Sequence, residues 1–507
     1  MIKYLKFPFF IVFFIFIYFF YFHNLGFENI NEDQYRWYLR SERFFTALNS
    51  GDFENTYQQY HPGVSFMYII KLGVEVFKFS NNLNFDTFKE IPYNLFPTFN
   101  QYTKIFMVII TLGSVFLLAQ LINILYGKFI ALSFLIFLTF DTYFIGLTRN
   151  LHMDSFLAVS ITLSIVSFYL FLKTNEKRYL IITSIYSGIG LLTKSVFGIS
   201  ILFQFLLAFY FAVNGKISLK PFKFFVYNVL ISFAIFTIFF PSMWVKPTDT
   251  LTNIYIKGAL STGLGGDDNF MHFVNGYELP DPGVKFYLWI LNYRISPMIY
   301  LTIITLLCYN IYTIYKNKKI KVEKDTLIVF LSFLIVTYLL IIMYSSKKTD
   351  RYISIIFPPL MIVVAYYLKK FWSQINNIFL KITVMLFTVI TIIINFQIHP
   401  YYFAFYSPLW GGLQKAQERI YINQGGIGYL LLVEAIKDYP EFKITAFNYD
   451  EIKYSSSIDV ERIDPNKATS KKYVKILPLQ RGDNMIKNSV LDRVIYLNGE
   501  AFWRIFK

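Results

Sequence analysis

The chain reads as a polytopic α-helical membrane protein with a small mixed α/β domain at its C-terminal end, and three observations predict this. Of its 507 residues, 55% are hydrophobic and 21% aromatic against 16% charged, far more apolar than a soluble domain. Apolar windows of membrane-crossing length recur as far as residue 397. Beyond residue 400 the apolar runs shrink to strand length and polar residues rise. The formal net charge is +16, but Lys and Arg gather in short loops between apolar runs, as orientation signals do. That pattern argues against nucleic acid as a partner. A single cysteine, Cys308, lies inside an apolar window, so an intramolecular disulfide and a cysteine metal cluster are both excluded.

Taken in order, the windows fall near residues 7–22, 103–125, 128–147, 153–173, 179–193, 196–214, 223–243, 290–315, 326–344, 352–369 and 377–397, predicting about eleven spans. The first follows Lys3 and Lys6, yet "FHNLGFENI" offers no small-residue cleavage site, which predicts an uncleaved anchor. With a cytoplasmic N-terminus in an inner (plasma) membrane, parity puts "KTNEKR", "NGKISLKPFK", "YKNKKIKVEK" and "KKFWSQ" inside, as the positive-inside rule requires. The same parity puts residues 23–102, "TRNLH", the turn at Thr193 to Ser195, residues 244–289, "SSKKTDR" and everything past 398 outside. In the large first outer loop, Trp37, Phe44, Phe45 and Leu48 recur at near-helical spacing among charges, predicting a juxtamembrane amphipathic helix on the outer surface. Past 399, "GGIGYLLLVEAIKDYP" predicts a helix and "VIYLNGEAFWRIF" two strands around an Asn-Gly turn. The expected division is a membrane module over 1–398 and an extracytoplasmic α/β domain over 399–507, large enough for a modest core of its own.

Four features break the apolar rule on the expected outer side. Glu32 and Asp33 stand where the first window ends; a helix N-terminus would also favour them there. Arg149, His152 and Asp154 crowd one short connection. Function is the default for an ionisable residue at a span boundary, with N-capping the rival for Asp154. Lys194 interrupts an apolar run from 179 to 213; it suits a lipid phosphate, and snorkelling is the alternative. Lys347, Lys348 and Arg351 stand in a loop where basic residues should be scarce, and Arg grips phosphate in two places. Together they suit chemistry on a lipid-linked phosphosugar: cations hold the phosphate as leaving group while a carboxylate takes the acceptor hydroxyl's proton. Attack opposite the phosphate, through an oxocarbenium-like transition state, inverts the anomeric centre.

The order of "NEDQ", "TYQQYHPGVS", "TRNLHMDS", "GIGLLTKSVFG", "FPSMWVKP", "DPGVKFYLWILNYRISP", "KKTDRYISIIFPPL" and "HPYYFAFYSPLWGG" resembles the GT-C membrane glycosyltransferases, in the branch of protein O-mannosyltransferases and aminoarabinose transferases. The resemblance implies a GT-C fold and transfer of one sugar from a polyprenyl-phosphate donor to a protein, lipid or glycan acceptor. It implies Asp33 as general base, with Asp154 at the second acidic position. Lys194, Lys348 and Arg351 would hold the lipid phosphate, with Arg149 and Lys347 as further candidates; His61, and His152 with it, would shape the donor pocket. That family carries Asp followed by Glu where this chain has Glu32-Asp33-Gln34, which keeps Glu32 as the alternative base. No cofactor is expected, and the branch implies no divalent metal. The rival reading is a flippase or transporter of lipid-linked glycans, which would line a mid-membrane path with ionisable residues.

Overall fold

The computed structural model describes residues 6–30, 33–215, 218–258, 271–275, 277–317, 324–374, 378–420, 422, 426–446, 452–453, 456, 458, 460–462, 473–478, 490–497 and 500–506. Helix α1 (Lys6–Phe22) leads to a two-residue strand β1 (Asn29–Ile30), then α2 (Gln34–Asn49) and α3 (Val64–Asn81). The bundle continues with α4 (Phe96–Tyr126), α5 (Lys128–Thr139), α6 (Thr142–Arg149), α7 (Asp154–Thr174), α8 (Lys177–Thr193), α9 (Gly198–Asn214) and α10 (Lys220–Phe239). After the short α11 (Ser242–Val245), α12 (Pro247–Thr252) and the hairpin β2 (His272–Val274)–β3 (Tyr277–Leu279) come α13 (Phe286–Arg294), α14 (Pro297–Asn317), α15 (Thr326–Tyr344), α16 (Phe357–Gln374) and α17 (Ile378–Ile398).

Among the described residues, eight helices are long and apolar enough to cross a membrane; α5 and α6, bent by 64° at their break, make a ninth. The expected eleven are not reached on length. The windows at 7–22 and 179–193 are filled by α1 and α8, of 17 residues each, which at 1.5 Å per residue fall short of a hydrocarbon core of about 30 Å. The window at 290–315 is two helices, because Pro297 has no N–H to continue α13 and restricts Ser296 before it. The bend between α5 and α6 is held by Asp141, which accepts the N–H of Phe144 (2.9 Å) and of Ser296 (3.1 Å).

Helix α7 is apolar all round, and every residue from Asp154 to Phe171 is buried, as befits the centre of a bundle. What fixes its neighbours is a ladder of neutral polar side chains. Ser164 meets Ser200 (2.6 Å), Ser167 meets Thr183 (2.9 Å), and Gln204 donates to Ser187 (3.1 Å) while accepting from Asn228 (2.6 Å). Asn228 also accepts from Ser184 (2.9 Å). Between helices in lipid such bonds set register, since apolar packing alone distinguishes little from lipid.

The ends of α4, α9 and the basic end of α16 meet the start of α15 at one end of the bundle. There Tyr126 at the end of α4 bonds to Asp325 (2.6 Å) and receives Lys369 on its carbonyl (3.1 Å), and Thr326 reaches Tyr210 (3.1 Å). At the other end, α2 is amphipathic as expected, but its apolar face is covered by protein rather than lying on a membrane. Trp37 packs edge-on against Phe66 of α3, and Tyr38 against Phe99 of α4.

Beyond α17 come α18 (Gly412–Gln417), β4 (Gly426–Ile427) and α19 (Tyr429–Ile436). They precede the strands β5 (Lys443–Ala446), β6 (Val460–Arg462), β7 (Tyr473–Pro478), β8 (Leu491–Leu497) and β9 (Glu500–Phe506). The expected helix is α19, and the expected hairpin is the antiparallel pair β8–β9; its Asn498-Gly499 turn lies outside the described residues. The five strands form one mixed sheet in the order β6-β5-β7-β9-β8. This unit is stitched to the first loop by β1–β4 pairing, by the Gly428 N–H on the Glu28 carbonyl (2.7 Å) and by the Tyr429 hydroxyl on the Gly26 carbonyl (3.3 Å).

Replacing Asn228 by Ala is expected to cost about 1–2 kcal/mol, because Gln204 and Ser184 lose partners in a site with no water. Unfolding in mixed detergent micelles measures it.

Candidate active site

Asp33 occupies the N-cap position of α2 but makes no side-chain cap bond. Its carboxylate turns instead to Arg351, 2.7 Å away, so the capping explanation of this acid does not hold. Asp154 is the first residue of α7, after Met153 at the N-cap, and is likewise spent elsewhere. Its carboxylate lies 2.9 Å from His152 Nδ1, 3.1 Å from Lys194 Nζ and 3.9 Å from Arg351 Nε. His152 Nε2 in turn stands 3.8 Å from Asp33. Two carboxylates, two cations and an imidazole from four separate stretches of chain form one cluster.

The sequence supplies each arm for a local reason. Helices α7 and α8 are antiparallel neighbours, so the start of one and the end of the other share a level. Lys194 sits in extended conformation between α8 and a 3₁₀ turn (Ser195–Phe197), which aims it inward. Its ammonium lies 4.9 Å from the centre of the Tyr352 ring. The "HPG" element fastens the first loop to this turn. The Gly63 N–H bonds to the Thr193 carbonyl (3.1 Å), and Ser65 meets the Thr193 hydroxyl (2.7 Å). Gly63 itself has φ +59°, and a Cβ there would stand 2.2 Å from the Trp37 ring, so only glycine fits.

Electrostatics separates the groups. Burial alone would raise the Asp33 carboxyl, but the Arg351 guanidinium beside it holds it well below the usual carboxylate range. Burial pushes the His152 imidazole down, only partly offset by Asp154, so it is neutral near pH 7. Its Nδ1 stands 2.9 Å from the Asp154 carboxylate and its Nε2 faces Asp33. The partly buried His61 imidazole is pushed well down by desolvation and next by Lys194, with Lys347 contributing. Asp33 keeps 24% of its side chain exposed against 4% for Asp154. Of the two acids, Asp33 is the one an acceptor can reach.

Lys348 and Arg149 are not brought to the cluster. Lys348 is fully buried 2.6 Å from Asp281 and bonded to the Ser345 carbonyl, while its backbone meets His272. Arg149 belongs to a second buried group, 3.4 Å from Glu28, with its guanidinium on the carbonyls of Phe20 and His23. Lys104 joins there through Glu28 (3.5 Å) and Asn29 (2.6 Å). This group ties the connector that carries Asp33 to the segment that carries His152. Glu32 lies outside the described residues.

The sequence reading missed several supporting side chains. Arg36 approaches Asp33 at 3.5 Å and is exposed; Tyr352 flanks Lys194. Arg294 pairs with Asp350 and bonds to the carbonyls of Phe403 and Phe405, joining three of the quoted motifs and anchoring the residue beside Arg351. A buried Arg in "NYRISP", between two apolar helices, was the signal that could have found it.

The sequence pattern of the dolichyl-phosphate-mannose-protein mannosyltransferase family matches residues 90–243, a stretch that contains His152, Asp154 and Lys194. The chain superposes on the crystal structure of ArnT from Cupriavidus metallidurans bound to undecaprenyl phosphate, with TM-score 0.52 at 12% identity over 98% of each chain. The same protein in its apo state gives 0.51 at 11% identity, over 99% of this chain and 98% of that one. The chain thus has the ArnT-like fold. Among curated proteins no sequence matches.

Removing one partner of this buried cluster leaves a charge uncompensated. Asp154→Ala is therefore expected to destabilise the protein by roughly 3–5 kcal/mol, while Arg36→Ala, whose guanidinium is 67% exposed, leaves stability unchanged; thermal unfolding in detergent compares them. Gly63→Ala is expected to lower the unfolding temperature as well, since a left-handed φ costs an L-residue roughly 1–2 kcal/mol before the Trp37 overlap is counted.

Proposed function

We propose that the protein is an inverting glycosyltransferase that moves one sugar from a polyprenyl-phosphate donor to an acceptor hydroxyl on the extracytoplasmic side of the membrane. The observation that carries this reading is the pairing of Asp33 with Arg351, beside Asp154 and Lys194 and at the opposite end of the bundle from the basic end of α16. The basic loops of the sequence are the cytoplasmic signal, which assigns the cluster and residues 399–507 to the outer side of an inner membrane and residues 1–398 to the catalytic module. Lys194, Arg351 and Lys347 hold the phosphate, and the reading calls for no divalent metal or cofactor. Asp154, held by Lys194 and His152, orients the imidazole; His61 walls the donor pocket.

In the step itself the acceptor oxygen attacks the anomeric carbon and its proton passes to Asp33. The carbon–oxygen bond to phosphate breaks with its electron pair on the phosphate oxygen, leaving polyprenyl phosphate and an inverted glycoside. A carboxylate held far below its usual range is a weak base, and the ion pair suggests how it is released. A donor phosphate competes with Asp33 for Arg351. Once the guanidinium turns to the phosphate, Asp33 loses its largest stabilising partner and becomes more basic only when donor is bound.

The flippase alternative draws less support. The interhelical side chains at mid-depth between α7 and α10 are neutral and bonded to one another, and Asp141 is spent on the bend. Purified protein in liposomes with lipid-linked sugars and envelope acceptors decides between the two. Wild type is expected to convert one polyprenyl-phosphate sugar to polyprenyl phosphate, and Asp33→Asn to be slower by roughly 10²–10⁴-fold. Lipid movement without turnover would establish the alternative. The sign of the pH dependence follows from the ion pair: kcat/KM, reporting free enzyme, shows no acid limb from Asp33 in the usual carboxylate range. The limb in kcat, reporting the donor complex, lies at higher pH.

A further inference from the structure

Against the first loop opens a polar cleft of about 380 Å³, lined by Glu54, Asn55, Tyr57, Lys246, Thr252, Asn253 and neighbouring side chains. Its size falls within the roughly 300–1,000 Å³ of small-molecule sites, yet its walls are not those of a lipid site. Charges come in equal number, Glu54 and Asp249 against Lys246 and Lys257, and Glu54 is already paired with Lys246. Among the described residues the lining therefore carries no net charge. What remains is a set of amides and hydroxyls that both donate and accept.

The floor is built. Ser242 meets Thr250 through their hydroxyls (2.6 Å), and the Ser242 N–H bonds to the Thr56 hydroxyl (2.8 Å). This pins the loop after α10 onto the first loop. The cleft also communicates with the cluster. A Cβ at Gly258, next to Lys257, would stand 3.6 Å from the Tyr60 ring; the Tyr60 and His61 rings pack at a tilt with centres 4.4 Å apart, and Tyr60 is within electrostatic reach of Arg40 and Tyr352. Tyr57 on the cleft wall and His61, within electrostatic reach of Lys194 and Asp154, are four residues apart, at most ~14 Å along extended chain, about the reach of a short glycan.

We propose that this cleft is the acceptor subsite and that its occupant is an uncharged, hydroxyl-rich glycan. Such a ligand presents hydroxyls that each need a donor and an acceptor, which the mixed lining supplies, and it carries no charge, which the balanced lining does not attract. The inference rests on the transferase reading for what the bound glycan is for, while the binding itself is tested without turnover.

The experiment uses the full chain in lipid nanodiscs and three probes: the neutral oligosaccharide fraction released from the source organism's envelope, maltotetraose, and a Ser/Thr-rich decapeptide. Binding is read by saturation-transfer NMR on wild type, Asp33→Asn, Asn253→Ala and Thr252→Val. The two cleft variants use separate positions, so a folding defect in one does not decide the result. The envelope fraction is expected to bind wild type and Asp33→Asn equally and each cleft variant at least tenfold more weakly. In transfer assays the cleft variants raise KM for acceptor and leave KM for donor unchanged. Glycan binding that both cleft variants retain, no glycan binding to wild type, or cleft-dependent binding of the decapeptide alone would overturn the assignment. Cleft-dependent glycan binding with no donor ever consumed would uphold the subsite and remove the transferase reading instead.

Discussion

A charge buried at the end of an apolar helix must be answered by another charge, and this constraint organises the molecule. Asp154 heads a helix whose residues are buried through Phe171, so its carboxylate has no water to turn to. Lys194 and His152 answer it. Arg351, close to the same carboxylate, is answered in turn by Asp33. Leaving any of them unpaired costs several kcal/mol, and the four stretches of chain are therefore pinned to one level of the bundle. Catalytic geometry and stability thus draw on the same contacts.

The second buried group, Glu28 with Arg149 and Lys104, plays a supporting part. It fastens the connector ahead of Asp33 to the segment ahead of His152. The C-terminal unit adds to the same connector through β1–β4 pairing and the Gly428 and Tyr429 bonds. A stretch of chain about four hundred residues from the first loop therefore braces the segment that delivers the proposed base. The neutral ladder from Ser164 to Asn228 does the equivalent work within the bundle, holding α7 to α10 so that Lys194 meets Asp154.

Much of this was legible in the sequence. Charges in apolar surroundings are conspicuous, and Asp33, His152, Asp154, Lys194 and Arg351 were all singled out before any fold was known. Two differences between expectation and structure had physical causes. Lys348 and Arg149 looked equivalent to their neighbours because a sequence displays charge but not its partner; Asp281 and Glu28 occupy them. The count of eleven spans is not confirmed where helices are short, as with α1 and α8, because average hydropathy does not register where a helix ends.

The sequence by itself determined the class of the protein, the ends of the bundle that carry basic loops, and the residues whose ionisation is costly. These follow from composition and from the price of charge in a low-dielectric medium, which act residue by residue. Only the tertiary structure decided which carboxylate keeps some exposure, which charge answers which, and that a balanced polar cleft opens against the first loop. Those are properties of pairs and of enclosed space, and they exist only once distant segments are packed against one another.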